Sequence, residues 1–172
     1  MQLGLSMKKV SFLLMLILLI NCISTQMHHE RETRRPFDPA EYKFVKLDGS
    51  AEISGQIFIP QKDGTEELGS QCTITLNPAT SYSEEFFIKT VQNGMAIEEA
   101  DIRVLKYIRT VTSDDSGRFS FKNIAAGKYY IYSPIVYEIR QPGGGYAKTN
   151  AYVYETVYLR EGQKQTIVLR IK

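Results

Sequence analysis

Tyrosine is the chemically capable side chain that this sequence concentrates. The chain holds 11, and eight of them fall between Tyr129 and Tyr158. Their spacing matters more than their number. Tyr130 and Tyr132 alternate with Tyr129 and Ile131, while Tyr152, Tyr154 and Tyr158 alternate with Val153, Val157 and Leu159. Successive strand residues point to opposite faces. If the two strands share a sheet, Tyr130, Tyr132, Tyr152, Tyr154 and Tyr158 therefore form one face, and these five are the candidate binding residues. A tyrosine ring is flat and apolar with a hydroxyl at its tip, which suits contact with a carbohydrate or a protein. The same residues have a second reading as packing, because Tyr favours strands and an inserted helix can cover such a face.

No catalytic set assembles beside them, and no catalytic residue, metal or cofactor is expected. The two histidines, His28 and His29, are adjacent in a polar segment with Glu30. Adjacent residues on a mobile chain rarely close a metal site, and no other histidine is present to complete one. That position also removes any Ser-His or Cys-His pair from the remainder of the chain. The sequence contains no HExxH, no CxxC and no phosphate-cradling glycine loop. Asp114 and Asp115 are neighbouring acids, but turn chemistry explains them.

The elements that must position the tyrosines are organised around Asp114–Tyr132. Asp114-Asp115-Ser116-Gly117 supplies side chains that bond their own backbone, followed by a glycine free to take positive φ. Phe119 and Phe121 then alternate with Arg118, Ser120 and Lys122, the pattern of a half-buried strand. Ala125-Ala126-Gly127 makes a second bend. Asp114, Gly117, Phe119, Phe121, Ile124, Gly127 and Tyr129 together resemble the hallmark of the carboxypeptidase regulatory-like domain, a transthyretin-like β-sandwich. Ser54-Gly55-Gln56-Ile57 resembles that family's first strand, and Thr75–Thr80 its second strand and exit. The resemblance covers about Ala51–Lys172. It implies fold more than function, because this fold hosts many roles. The family's name refers to a domain attached to carboxypeptidases, and the peptidase's zinc ligands have no counterpart here.

Upstream, Met7-Lys8-Lys9 and the apolar run Val10–Ile20 have the form of a secretory signal, too short to span a bilayer comfortably. Either Met1 or Met7 can be the true start. Leu19-Ile20-Asn21-Cys22 resembles a bacterial lipobox, although Asn21 departs from the usual small residue before the cysteine. The resemblance implies lipidation of Cys22. Ile23 follows where Asp would argue for retention in the inner membrane, which points to the outer membrane where the cell has one. Cleavage before Cys22 removes Lys8 and Lys9 from the 21 basic residues and leaves 19 against 19 acids. A neutral domain gives no electrostatic reason to bind nucleic acid. With Cys22 lipidated, Cys72 has no intramolecular partner, and it reads as a small buried apolar residue.

The organisation expected is a signal peptide over 1–21, a flexible tether over 22–49 and one domain over 50–172. The fold expected is mainly β: a single Greek-key sandwich of about seven strands with one short inserted helix. Strands are expected at Ala51–Pro60, Gln71–Leu76, within Asp101–Thr112, and along Tyr130–Ile139 with a bend at Pro134. Arg140–Asn150 reads as a loop, and Ala151–Arg160 with Gln165–Lys172 as a final hairpin about Glu161-Gly162. The helix is expected at Tyr82–Gln92, capped by Ser81 with Glu84 three residues on. The function expected is a non-catalytic, membrane-anchored lipoprotein with a binding or structural role in the bacterial cell envelope. The alternatives are a carbohydrate-binding module and an accessory or inhibitory subunit of an envelope hydrolase. Partners would be the membrane, through its lipid, and an envelope protein or carbohydrate.

Overall fold

The computed structural model describes residues 31–171. Two antiparallel-dominated four-stranded sheets form a sandwich. The first is built on β1 (Ala51–Pro60), which pairs with β2 (Glu66–Leu68), β5 (Arg118–Ile124) and β8 (Lys164–Leu169). The second has the order β4 (Arg109–Thr112), β3 (Thr73–Pro78), β6 (Gly127–Arg140) and β7 (Tyr146–Leu159). Eight strands stand where about seven were expected, the extra one being the three-residue β2.

The core between the sheets follows from the period of two. Ile53 and Ile57 of β1, Ile74 and Leu76 of β3, Phe121 of β5, Ile131 of β6 and Val153 and Val157 of β7 are all fully buried or nearly so. Gly55 lies on the same face as Ile53 and Ile57. A Cβ there would stand 2.4 Å from the Phe119 ring, so the missing side chain is what lets that ring lie over β1. The Asp114–Gly117 turn forms as its residues dictate. Asp114 Oδ1 accepts from the backbone N–H of Ser116 and Arg118 at 2.8 and 2.9 Å. Gly117 has φ 69°, and its carbonyl accepts from Ile57 N–H at 2.9 Å. A side chain there would meet both a strained backbone and the Ile57 carbonyl at 2.8 Å. Tyr129 pins the bend by which the chain crosses from β5 in the first sheet to β6 in the second, donating its hydroxyl to the Ala125 carbonyl at 2.9 Å.

Four expectations change. First, Arg140–Asn150 is mostly strand: β6 and β7 pair from Gly127↔Leu159 out to Arg140↔Tyr146, and only Gln141–Gly145 turns. The strand and its pairing continue through Pro134, whose register partner is Tyr152. Second, β7 and β8 make no hairpin. The chain crosses to the other sheet, where β8 lies parallel to β1 with Ile53 opposite Gln165 and Ile57 opposite Leu169. Ser50 fixes the crossover by donating its hydroxyl and its backbone N–H to Glu161 Oε1, at 2.6 and 3.2 Å. The turn residues at Glu161-Gly162 look the same in either topology, which is why the sequence pattern suggested the simpler one.

Third, the helix begins one residue earlier and changes pitch. Thr80 is the N-cap of α1 (Ser81–Phe86), and Ser83 reciprocates: Thr80 Oγ1 accepts from Ser83 N–H at 3.2 Å, and Ser83 Oγ accepts from Thr80 N–H at 2.9 Å. Six residues of π-helix, Phe87–Gln92, continue it. The β-branched Ile88, Thr90 and Val91 weaken the α preference there. Fourth, the part of the tether that can be seen is not free. Residues 31–48 lie on the domain, with Tyr42 buried among Tyr82, Val104, Phe37 and Tyr107. The Tyr42 and Tyr107 rings lie 4.6 Å apart. An arm that carries Phe37, Tyr42 and Val45 has apolar area to hide, and the charged run before it masked that signal. The rest of the tether, the signal, His28, His29 and Cys22 lie outside the described residues.

Cys72 is half-buried against the core, just before β3 begins, and burial pushes its thiol pKa up. Its neighbour Gln71 has φ 55°, which ends the strand a residue or two short of the expected start.

Candidate functional site

The tyrosine face exists in register, and it is divided. β6 and β7 bring Tyr132 opposite Tyr154 and Pro134 opposite Tyr152. α1 and its π-helical continuation lie across one end. Phe87 stacks on Tyr130 with ring centroids 4.1 Å apart and planes 14° from parallel. Phe86 packs on Tyr132 at 5.7 Å. Tyr130 and Tyr132 are therefore buried, at 3% and 7% exposure, and serve as the seat of the helix instead of an open contact surface. The reason is in the helix sequence: Phe87 and Val91, four residues apart, need an apolar floor, and the tyrosine rings supply it. The hydroxyl of Tyr130 reaches the edge of this layer and donates to Glu84 Oε1 at 2.9 Å. Burial raises its pKa, and Glu84 adds to the effect. Burial pushes Tyr132 further, to about 12.

Tyr158 takes the opposite extreme. It is 65% exposed and stands apart beside the crossover turn, with Lys128 Nζ 5.8 Å from its ring. Tyr152 and Tyr154 are half-buried. The Tyr152 ring meets Tyr132 edge-on at 6.0 Å, and Tyr154 meets Phe87 edge-on at 5.4 Å. Of the five candidates, then, the structure gathers Tyr152 and Tyr154 at one open position.

That position is a cleft of about 730 Å³ between the end of the helical segment and the outer half of the β6–β7 ribbon. One wall is Thr90, Val91, Gln92, Asn93 and Gly94, held in place where Gly94 N–H returns to the Thr90 carbonyl at 3.0 Å. The other is Pro134, Val136, Asn150, Tyr152 and Tyr154, with Ile171 at one side. The volume lies within the ordinary range for small-molecule sites, roughly 300–1,000 Å³. Its chemistry is the half-buried rings of Tyr152 and Tyr154, apolar aliphatic surface and the amide residues Gln92, Asn93 and Asn150. Amides both donate and accept, so together with a ring they match a ligand that alternates C–H faces and hydroxyls. Sequence reading missed these amides. Asn93 directly follows the expected helix and Asn150 ends the expected loop, and neither position says that the two approach the same cleft.

Among the described residues, no group of three or more His, Cys, Asp or Glu side chains is placed to hold a metal ion. Asp114 is spent on its own turn, and Asp115 lies within 3.3 Å of Ser70 Oγ.

No protein-family model matches the chain, and none of the curated proteins does. Among solved structures, the chain is similar to the crystal structure of PA1324 of Pseudomonas aeruginosa, a protein described as a proposed carbohydrate binding protein. The identity is 26% and the TM-score 0.68, over 79% of this chain and 98% of that one. A weaker match is BcpA, the major pilin subunit of Bacillus cereus, at 15% identity and TM-score 0.38, covering 72% of this chain and 30% of that one. The second likeness is too low to carry an argument. The first shows that the β-sandwich of this chain is one that a solved protein shares across nearly its whole length.

Proposed function

We propose that this chain is a non-catalytic carbohydrate-binding β-sandwich of the carboxypeptidase regulatory-like type, and that its ligand lies in the cleft beside Tyr152. The observation that carries the reading is the cleft itself: the half-buried rings of Tyr152 and Tyr154 and three amide residues lining one space, beside the paired strands β6 and β7. The Tyr152 ring would stack on the C–H face of a pyranose, and Gln92, Asn93 and Asn150 would bond its hydroxyls. The description of PA1324, a protein of similar fold, supports the same class of ligand. The lipobox-like Leu19–Cys22 supports a further part of the proposal, that Cys22 is lipidated and the domain, over 50–172, is displayed on a bacterial envelope membrane. Mass spectrometry of the native protein would then find a lipidated cysteine at the N-terminus, and an unmodified start elsewhere would refute that part.

The binding test uses immobilised neutral envelope and plant polysaccharides with the full chain and with Asn150→Ala combined with Tyr152→Ala. Asn150 is exposed and Tyr152 half-buried, so the variant should fold and lose roughly ten-fold or more in affinity, as removal of central aromatic contacts does. Unchanged binding by the folded variant would overturn the cleft as the site. A protein partner is the second reading, favoured by the exposed Val136, Ile139 and Tyr146 on the outer ribbon. It would be supported by failure with every polysaccharide and capture of an envelope hydrolase.

A further inference from the structure

The four most exposed large apolar side chains among the described residues are Phe44, Ile102, Tyr158 and Leu105. They are scattered in sequence, and the fold brings them to one end of the sandwich, where β1, β4 and β6 begin and β3, β5 and β7 finish. The N-terminal arm crosses this end. Tyr42 lies on the Tyr107 ring at 4.6 Å, and Gly49 N–H donates to the Asn123 carbonyl at 3.2 Å, so Phe44 and Leu47 are held between two fixed points. Phe44 is nevertheless 91% exposed. A 3-10 helix over Ile102–Tyr107 leads into β4, and its period of three puts Ile102 and Leu105 on one side. Tyr158 stands opposite Lys128 at the start of β6.

The same end is basic. Residues 37–49, 101–109 and 122–128 carry seven Lys and Arg against four acids. Lys43, Lys46, Lys106 and Lys122 are exposed and have no carboxylate partner among the described residues. Arg109 donates to the carbonyls of Lys122 and Asn123, at 2.7 and 3.2 Å. The acids are mostly engaged. Asp38 accepts from Ala40 N–H, Glu41 holds Arg35 at 3.0 Å and Asp101 holds Arg103 at 2.6 Å, which leaves Asp48. Glu84 and Glu161, at the border, accept from the hydroxyls of Tyr130 and Ser50. Apolar side chains open to water and ringed by unpaired ammonium groups are the composition of a surface that meets an anionic interface.

We propose that this end of the sandwich docks on an anionic lipid bilayer. Phe44, Ile102 and Leu105 enter the headgroup boundary, and Tyr158 takes the interfacial position that suits a ring with a polar tip. The lysines lay their stems along the apolar surface and hold their charge against lipid phosphates. The chain joins the domain beside this end: Glu32 N–H donates to the Ala96 carbonyl at 2.9 Å, a few residues before Ile102. Where Cys22 carries lipid, as proposed above, residues 23–30 span at most about 30 Å, so anchor and surface act on one bilayer. The surface rests on its own composition and does not require that lipid. β6 runs away from this end for 14 residues, which carries the cleft at Pro134 and the Gln141–Gly145 turn away from the membrane.

The sequence has no Trp, so a single introduced indole reports its own position. Phe44→Trp and Leu105→Trp replace exposed side chains and should fold; Tyr146→Trp, exposed at the far end of the β6–β7 ribbon, is the control. The full chain as purified from cells is mixed with vesicles of phosphatidylcholine alone, or of equal parts phosphatidylcholine and phosphatidylglycerol. On the anionic vesicles the emission of Phe44→Trp and Leu105→Trp should shift to the blue and be quenched by brominated acyl chains. On phosphatidylcholine alone the shift should be much smaller, and Tyr146→Trp should not respond to either. Adding Lys43→Glu, Lys46→Glu and Lys106→Glu to Phe44→Trp should remove the shift, as should high salt. Silent reporters on anionic vesicles, an equal response from Tyr146→Trp, equal shifts on both vesicles, or a shift that survives the three charge reversals would overturn the proposal. So would emission that is already blue without vesicles, which would give the surface to a second copy or to another part of the chain. Reporters that respond while Cys22 proves unmodified refute the lipid alone; silent reporters on a lipidated chain refute the surface alone.

Discussion

Two apolar layers meet the second sheet, one on each face, and they are made differently. Between the sheets the layer is dominated by Ile, Val and Leu with Phe119 and Phe121, and many of its members are fully excluded from water. On the outer face the layer is aromatic: Phe86 and Phe87 over Tyr130, Tyr132, Tyr152 and Tyr154. Branched aliphatics interdigitate without polar atoms to satisfy. Tyrosine packs its ring and keeps a hydroxyl that must find a partner or water. An inner core therefore wants aliphatics, while a layer one helix thick, close to solvent on several sides, tolerates tyrosine. The outer layer can also end part-way along the strands and leave rings open, which the inner one cannot do.

If that distinction is right, the largest loss should come from the inner layer. Phe121→Ala should cost about 3–5 kcal/mol, as large-to-small changes in closed cores do. Ser120→Ala, one residue along and exposed, should shift stability by no more than about 0.5 kcal/mol. Denaturant midpoints for the two variants check this, and similar losses at both positions would mean that β5 has no inward face.

Phe87→Ala probes the outer layer. Phe87 is buried, but its helix can settle onto the floor when the ring is lost, so the low end of the usual Phe→Ala range, about 3 kcal/mol, is expected. The same variant should expose Tyr130 and Tyr154 to solvent, readable as a change in tyrosine fluorescence quenching. A loss as large as that of Phe121→Ala would show the two layers to be equally closed.

The third measurement uses alkaline pH. Burial, the main cause, raises Tyr132 to about 12 in the folded chain, whereas an unfolded tyrosine titrates near 10. Below about pH 10 both states keep the proton and the contribution to stability is fully present. Between about pH 10 and 12 the unfolded chain ionises first, so stability falls as pH rises, by on the order of 2–3 kcal/mol across the window. Tyr132→Phe should flatten that slope. It should not abolish it, because Tyr129 and Tyr130 are also raised by burial. A slope unchanged in Tyr132→Phe would show that the ring is open to water.

The inner layer was legible in the sequence because one buried face gives a clean alternation: Ile53, Gly55 and Ile57, or Phe119 and Phe121. The bounds of β1 were read correctly for the same reason. The outer layer was legible only as a choice, since Tyr130 and Tyr132 alternate identically whether a helix covers them or a ligand does. What decides it is the contact of Phe87 with Tyr130, across 43 residues of sequence that no local pattern relates. The π-helical turn, the partner of β8 and the docking of the arm escaped for that reason too: each depends on a distant surface. Of the candidate sites, the sequence pointed to Tyr152 and Tyr154. Phe44 sits among charged residues that, taken alone, have the composition of a solvated linker.

The pairing of β8 with β1 also sets an order of events. β1 is the first strand of the domain and β8 the last, so Ser54 and Thr166, 3.2 Å apart in the finished sheet, are separated by 112 residues of chain. Contacts this remote are slow to form, because the loop must close before the pairing contributes anything. Until residues 164–169 arrive, one side of β1 presents bare backbone donors and acceptors along the stretch Glu52–Ile57. A nascent chain is in that state until those residues have been made. The strand on which the first sheet is built is then, kinetically, an unprotected edge, open to pairing with a neighbouring chain.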